Sequence, residues 1–203
     1  MINWTELLRR GNVIPDPCFE RPFVCDGFPD ASCAVIIGEN PATKMGKDWW
    51  DYWDEKKGFD YDHFVADYEK ARQSVLTTGV SKRGRRSRTR GRLDQFRENG
   101  ICCLETNVYR NEKSAGAGNK GVSNKAVLNV LLDNMPTHFA IVAHGKPAKE
   151  YVCEYESQHG FREGVKVFKT RHFSRERCQA IDDICREIKA ICPERRPMPP
   201  RGS

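Results

Sequence analysis

The chain has 203 residues, 38% of them hydrophobic and 31% charged, enough for one ordinary domain with a substantial core. No apolar run approaches the roughly 20 residues of a membrane span, and the opening MINWTELLRR lacks the apolar stretch of a secretory signal, so a cytoplasmic protein is expected. The net charge of +6 is concentrated: residues 82–92, KRGRRSRTRGR, hold seven basic residues and no acid, which leaves the rest of the chain at −1.

Residues 34–37 form an apolar run that stops at Gly38-Glu39-Asn40-Pro41-Ala42, the pattern of a buried strand ending in a tight polar turn. Three tryptophans, Trp49, Trp50 and Trp53, follow within a short reach. Residues 62–75 carry Phe64, Val65, Tyr68 and Ala71 at helical spacing. The basic segment comes next. It reads either as a solvated, disordered loop or as an arm whose Arg83, Arg85, Arg86, Arg88 and Arg90 contact phosphates, since clustered cations release counterions from nucleic acid.

A second apolar run, residues 101–108, ends in Glu105-Thr106-Asn107-Val108. Gly116-Ala117-Gly118-Asn119-Lys120-Gly121 matches a dinucleotide fingerprint in letters. It lies well past the strand it should follow directly, so a flexible loop is the plainer use. Residues 122–133 are rich in Leu and Val and stop at Asn134-Met135-Pro136, a helix with its end signal. Residues 138–143 predict a third strand, followed by His144-Gly145-Lys146-Pro147, with Pro147 opening a helix over 148–155. Residues 165–169 predict a fourth strand, followed by Thr170-Arg171-His172-Phe173-Ser174-Arg175. Ser174 is the expected cap of a last helix that stacks Ile181, Ile184, Ile188 and Ile191 on one face. The proline-rich residues 193–203 are expected to be disordered, leaving 1–192 as a single domain.

Strands alternating with helices imply parallel pairing with right-handed crossovers, hence a three-layer α/β/α sandwich around a four-stranded parallel sheet. Sites in such folds lie outside the carboxyl ends of the strands. Those ends here gather two asparagines, two histidines, two acids and several cations. Nine cysteines raise the question of a metal. Their odd number and the absence of any C-x-x-C pair argue for neither disulfides nor a metal centre. Cys18, Cys25 and Cys33 fit no common zinc or iron–sulfur spacing, and Cys178, Cys185 and Cys192 recur every seven residues, as buried small hydrophobes on one helix face would.

At three strand ends the chain resembles the uracil-DNA glycosylase superfamily. Gly38-Glu39-Asn40-Pro41 is similar to its first motif, Thr106-Asn107-Val108 to the middle motif whose asparagine reads a flipped base, and His172-Phe173-Ser174 to the last, His-Pro-Ser motif. The likeness runs from about residue 34 to 177. Phe173 stands where the family usually has proline, and Asn40 where the uracil enzymes have aspartate. The resemblance implies a monomeric, monofunctional DNA glycosylase without metal or organic cofactor. In that reading His172 donates to the charge developing on the base, a role typically worth ~10²–10³ in rate. Asn40 positions a water, with Glu39 as a second candidate for activating it, and Asn107 offers donor and acceptor to a pyrimidine edge. Trp50 or Trp53 stacks on the base. Phe173, Arg175 or Arg177 plugs the vacated stack, while Lys146 and Ser174 join the DNA-contacting set. Ala42 replaces the tyrosine that, in the uracil enzymes, blocks substituents on pyrimidine carbon five. Its small size implies room for a modified base of phage DNA, hydroxymethylated or glucosylated, with uracil as the plainer substrate and an anti-phage role as the corollary. A non-catalytic nucleic-acid binder on the same fold, and a nucleotide-binding enzyme using Gly116 to Gly121, are the rival readings.

Overall fold

In the computed structural model, which describes residues 2–10, 12–77, 86–111 and 121–192, the chain opens with helix α1 (Trp4–Arg10) and the two-residue strand β1 (Phe23–Val24). Strand β2 (Ala34–Gly38) follows, and then the small hairpin β3 (Trp53–Asp54) and β4 (Gly58–Phe59). Helices α2 (Tyr61–Thr77) and α3 (Arg88–Glu98) lead to β5 (Cys103–Asn107). The remainder alternates: α4 (Lys125–Asn134), β6 (Phe139–His144), α5 (Lys146–His159), β7 (Val165–Thr170) and α6 (Cys178–Ile191).

The central sheet has the order β1-β5-β2-β6-β7. β5, β2, β6 and β7 run parallel, and β1 pairs antiparallel with β5. The expected four-stranded parallel sheet is therefore five-stranded and mixed. β1 is too short to show an alternation in sequence, yet both of its residues are buried. Every residue of β2 and β6 is buried, because both faces of these central strands are covered and apolar side chains are needed on each. β7 is the open edge, and its Lys166 and Lys169 are exposed, charges that discourage edge-to-edge pairing.

Alternate residues of each strand feed opposite layers. Val35, Ile37, Leu104, Ile141 and Ala143 pack in one core with Val127, Leu128 and Leu131 of α4 and Tyr151 and Val152 of α5. Ala34, Ile36, Cys103, Ala140 and Val142 pack in the other with Leu93 and Phe96 of α3 and Ile181, Ile184, Cys185 and Ile188 of α6. Helices thus cover both faces of the sheet. Among the described residues no helix is long and apolar enough to cross a membrane.

Several local expectations are corrected. The second half of the basic segment is not a solvated arm. It is the first turn of α3, where Ser87 Oγ accepts from the Arg90 amide at 3.0 Å; Arg83 and Arg85 lie outside the described residues. Ser174 does not cap α6 but sits in a 3-10 turn, Phe173–Arg175, and Arg177 is the N-cap. The turn intervenes because Phe173 is drawn fully into the core. Cys178 is exposed, unlike the buried Cys185, since it stands at the helix start before the apolar face closes over α6. Gly116 and the tail 193–203 are outside the described residues.

Candidate active site

The parallel strands end at one level. Gly38 lies opposite Asn107, Ile37 opposite Ala143, and His144 opposite Thr170. The chain runs from β2 to β5 on one side and then crosses back to β6 on the other, so the direction of the crossovers reverses at β2 and a crevice opens beyond its carboxyl end. Gly38 sits at the bottom. A Cβ there would stand 2.6 Å from Asn107 Oδ1 and 2.9 Å from His144 Nε2, distances that only glycine tolerates without displacing both polar groups.

The turn after β2 is tied to β5. The Val108 amide donates to the Gly38 carbonyl and the Tyr109 amide to the Glu39 carbonyl, each at 3.0 Å. The buried Asn124 fixes β5 from the far side, donating to Asn107 O at 2.9 Å, Thr106 Oγ1 at 3.0 Å and Pro22 O at 2.7 Å. Asn107 is therefore held by its backbone while its carboxamide faces the crevice. Asn40 makes one long side-chain contact, Nδ2 to Pro41 O at 3.3 Å, which leaves its amide oxygen available.

His172 follows β7. The Ser174 amide donates to His172 Nδ1 at 3.3 Å, and Ser174 Oγ lies 2.8 Å from the same nitrogen. An amide can only donate, so Nδ1 is the acceptor and the neutral ring carries its proton on Nε2. Burial lowers the pKa of His172, outweighing the attraction of Glu39, and Arg175 lowers it further. The ring is neutral at pH 7. His144, at the end of β6, is 5% exposed, and burial, helped by His172, pushes its pKa down to about 3. Its ring stacks on Phe173 with centres 4.1 Å apart and stands edge-on to His172 at 5.1 Å. Gly145 turns the chain after it with φ of 84°, a conformation that favours glycine.

These groups line a cavity of about 160 Å³, with Asn40, Ala42, Asn107, His144 and His172 on its wall. An engineered cavity of ~150 Å³ admits benzene, so the space suits one six-membered ring, not a dinucleotide. Tyr68, Thr43 and the first turn of α3 close one side. Two of the lining residues, Arg90 and Glu105, belong to a buried ion cluster. Arg90 grips Glu105 through two bonds, at 2.8 and 2.9 Å, and Arg97 reaches the same carboxylate at 3.4 Å. Burial pushes the Glu105 pKa up, but the two guanidiniums outweigh it, and the carboxyl titrates below its ordinary value.

Of the candidates from sequence, Asn40, Ala42, Arg90, Asn107 and His172 line the cavity, and Glu39 does not. Trp50 and Trp53 are in the core beside β1 rather than at the cavity, their indole N–H groups donating to Pro15 O at 2.8 Å and Thr5 Oγ1 at 2.9 Å. Trp49 and Trp50 are buried and Trp53 is partly buried against them, and packing these large rings together stabilises the fold more than exposing one at a turn. Phe173 is no plug: it is sandwiched between Phe96 and His144. Arg90 is lost as a phosphate contact, since its charge is buried against Glu105. Arg86 is exposed but paired with Glu69 and Asp94; Arg88, Lys146, Arg175 and Arg177 are exposed. Cys18 and Cys25 belong to one core and Cys33 to the other, and among the described residues no group of three or more metal-binding side chains gathers. His144 and Glu105 were visible as strand-end residues but carried no assigned role. Tyr68 read only as part of a helical stripe. A scan of protein-family models and a search of curated proteins both find no match to the chain.

Proposed function

We propose that the chain is a monofunctional DNA glycosylase on a uracil-DNA-glycosylase-like fold, which takes a flipped pyrimidine into the cavity and hydrolyses its N-glycosidic bond. The observation that carries this reading is the convergence of Asn40, Asn107 and His172 on a single ring-sized space beyond the strand ends. Phosphate binding alone would need none of the three.

Water oxygen bonds to the sugar carbon as the carbon–nitrogen bond breaks. The electron pair of that bond passes into the base and spreads onto its carbonyl oxygen. The Nε2–H of His172 donates to that oxygen, and a preorganised donor in a site shielded from water gains most where charge develops. Asn40 holds the attacking water through its amide oxygen; the proton the water releases passes to solvent. Asn107 reads the base edge, and Tyr68 is the aromatic side chain on the wall. The exposed Arg88, Lys146, Arg175 and Arg177 supply the phosphate contacts.

Ala42 at the cavity mouth leaves room beside carbon five of the base. The proposed substrates are accordingly pyrimidines with bulk at that position, hydroxymethylated or glucosylated, and the proposed role is defence against phage carrying such DNA. Ala42→Tyr tests this. Overfilling a packed site costs about 1–3 kcal/mol, so excision of a bulky base should fall roughly 10–100-fold while excision of uracil is spared. A wild-type protein that removes uracil and rejects every carbon-five derivative overturns the substrate assignment.

A further inference from the structure

His144 has no place in the chemistry above, although it lines the same cavity as Asn107 and His172. Its Nδ1 is buried and has no hydrogen-bond partner among the described residues. Such rings are ordinarily fixed in one tautomer by a bond at the second nitrogen, as His172 is by Ser174. Nothing comparable fixes His144. A lone pair or an N–H left at the buried Nδ1 is unsatisfied in either case, and both tautomers carry that cost. The ring itself is not free to move away. It is clamped face-on against Phe173 and edge-on against His172. Its Nε2 and the Asn107 Oδ1 lie 2.9 and 2.6 Å from one point above Gly38.

We infer that His144 is a specificity-determining residue: with no bond fixing its tautomer, its imidazole follows the Asn107 carboxamide and lets the pocket accept both the keto and the amino edge of a pyrimidine. The inference rests on the glycosylase reading. A keto base presents an acceptor at carbon four and a donor at ring nitrogen three, and an amino base presents the reverse. Asn107 can meet either by rotating its amide. With a base bound, one orientation would turn its oxygen toward His144, which answers with Nε2–H. In the other its NH2 lies toward His144, which answers with the Nε2 lone pair and carries its proton on Nδ1. A neighbour locked in one tautomer would leave one amide orientation facing a like partner, and would reject one class of base.

Two measurements test this. Long-range 1H–15N correlation on the labelled wild-type protein at pH 7 should give His144 nitrogens with averaged shifts, the sign of exchanging tautomers. Single-turnover excision should then be compared on two duplexes that differ only in 5-hydroxymethylcytosine against 5-hydroxymethyluracil. Wild type should process both at rates within roughly tenfold, and His144→Phe, which keeps the stack on Phe173 and deletes both nitrogens, should change the ratio by roughly tenfold or more. Averaged shifts with a changed ratio support the inference. A single fixed tautomer, or equal loss on both duplexes, overturns it while leaving the glycosylase reading intact. Failure to excise any base from either duplex, or from a uracil duplex run in parallel, overturns both.

Discussion

Two histidines stand at or just beyond neighbouring strand ends, in different environments. His172 is half-buried, its Nδ1 is occupied by Ser174, and the residue lines the cavity. His144 is buried against aromatic rings, and its pKa lies at about 3. That displacement has a consequence for stability. Above about pH 6.5, the ordinary value for histidine, His144 is neutral in the folded and the unfolded chain, and it adds no pH dependence. Between there and its folded value the unfolded chain binds a proton that the native state refuses. Stability therefore falls as pH falls through this window, by up to about 1.4 kcal/mol per pH unit, and the loss levels off below the folded value. Urea unfolding between pH 7 and 5 reads this range before most carboxylates titrate. His144→Phe should flatten the dependence; an unaltered slope would assign it to other groups.

At the scale of elements, α3 and β5 hold each other through a buried charge. Arg90 in the first turn of α3 is matched by both oxygens of Glu105, and Arg97 from the last turn lies over the Tyr61 ring at 3.5 Å. Removing one partner of a buried pair strands the other, typically at 3–5 kcal/mol. Glu105→Gln should accordingly lower the unfolding free energy by about that amount, measured by chemical denaturation at pH 7, and a loss under about 1 kcal/mol would mean the charges are solvated. This pair also explains why part of the fold was not legible. Residues 34–37 and 138–143 announced buried strands by apolar runs, and the turns after them announced a site. The Arg-rich start of α3 reads as solvated, because only a long-range partner, Glu105, makes Arg90 a buried residue. β1 has two residues, too few for a period. Likewise Trp50 and Trp53 follow the first motif in sequence, yet Trp50 lies in a 3-10 turn, Trp49–Tyr52, and Trp53 opens β3, and packing against the core beside β1 rather than proximity along the chain decides where they sit.

For the molecule as a whole, the sheet order places three chemically distinct side chains, Asn40, Asn107 and His172, around one cavity from three separate strand ends. Their types and positions were readable in the sequence, because strand ends are easily located and parallel order brings them together. The ring-sized volume and the ion cluster in its wall were not, since both depend on packing between distant segments. The exposed cation Lys146 follows β6, and the exposed Arg175 and Arg177 follow β7. The proposed reaction cleaves a base–sugar bond, so bond cleavage is its direct test. Duplexes carrying single modified pyrimidines, incubated with excess protein and then treated with alkali, should break at the modified position with wild type. His172→Ala should slow that cleavage by roughly 10²–10³, and Asn40→Ala should slow it markedly, with DNA binding retained in both. An absence of alkali-labile sites on every duplex would rule out a glycosylase, and variants that cleave within a few-fold of wild type would rule out His172 and Asn40 as its catalytic pair.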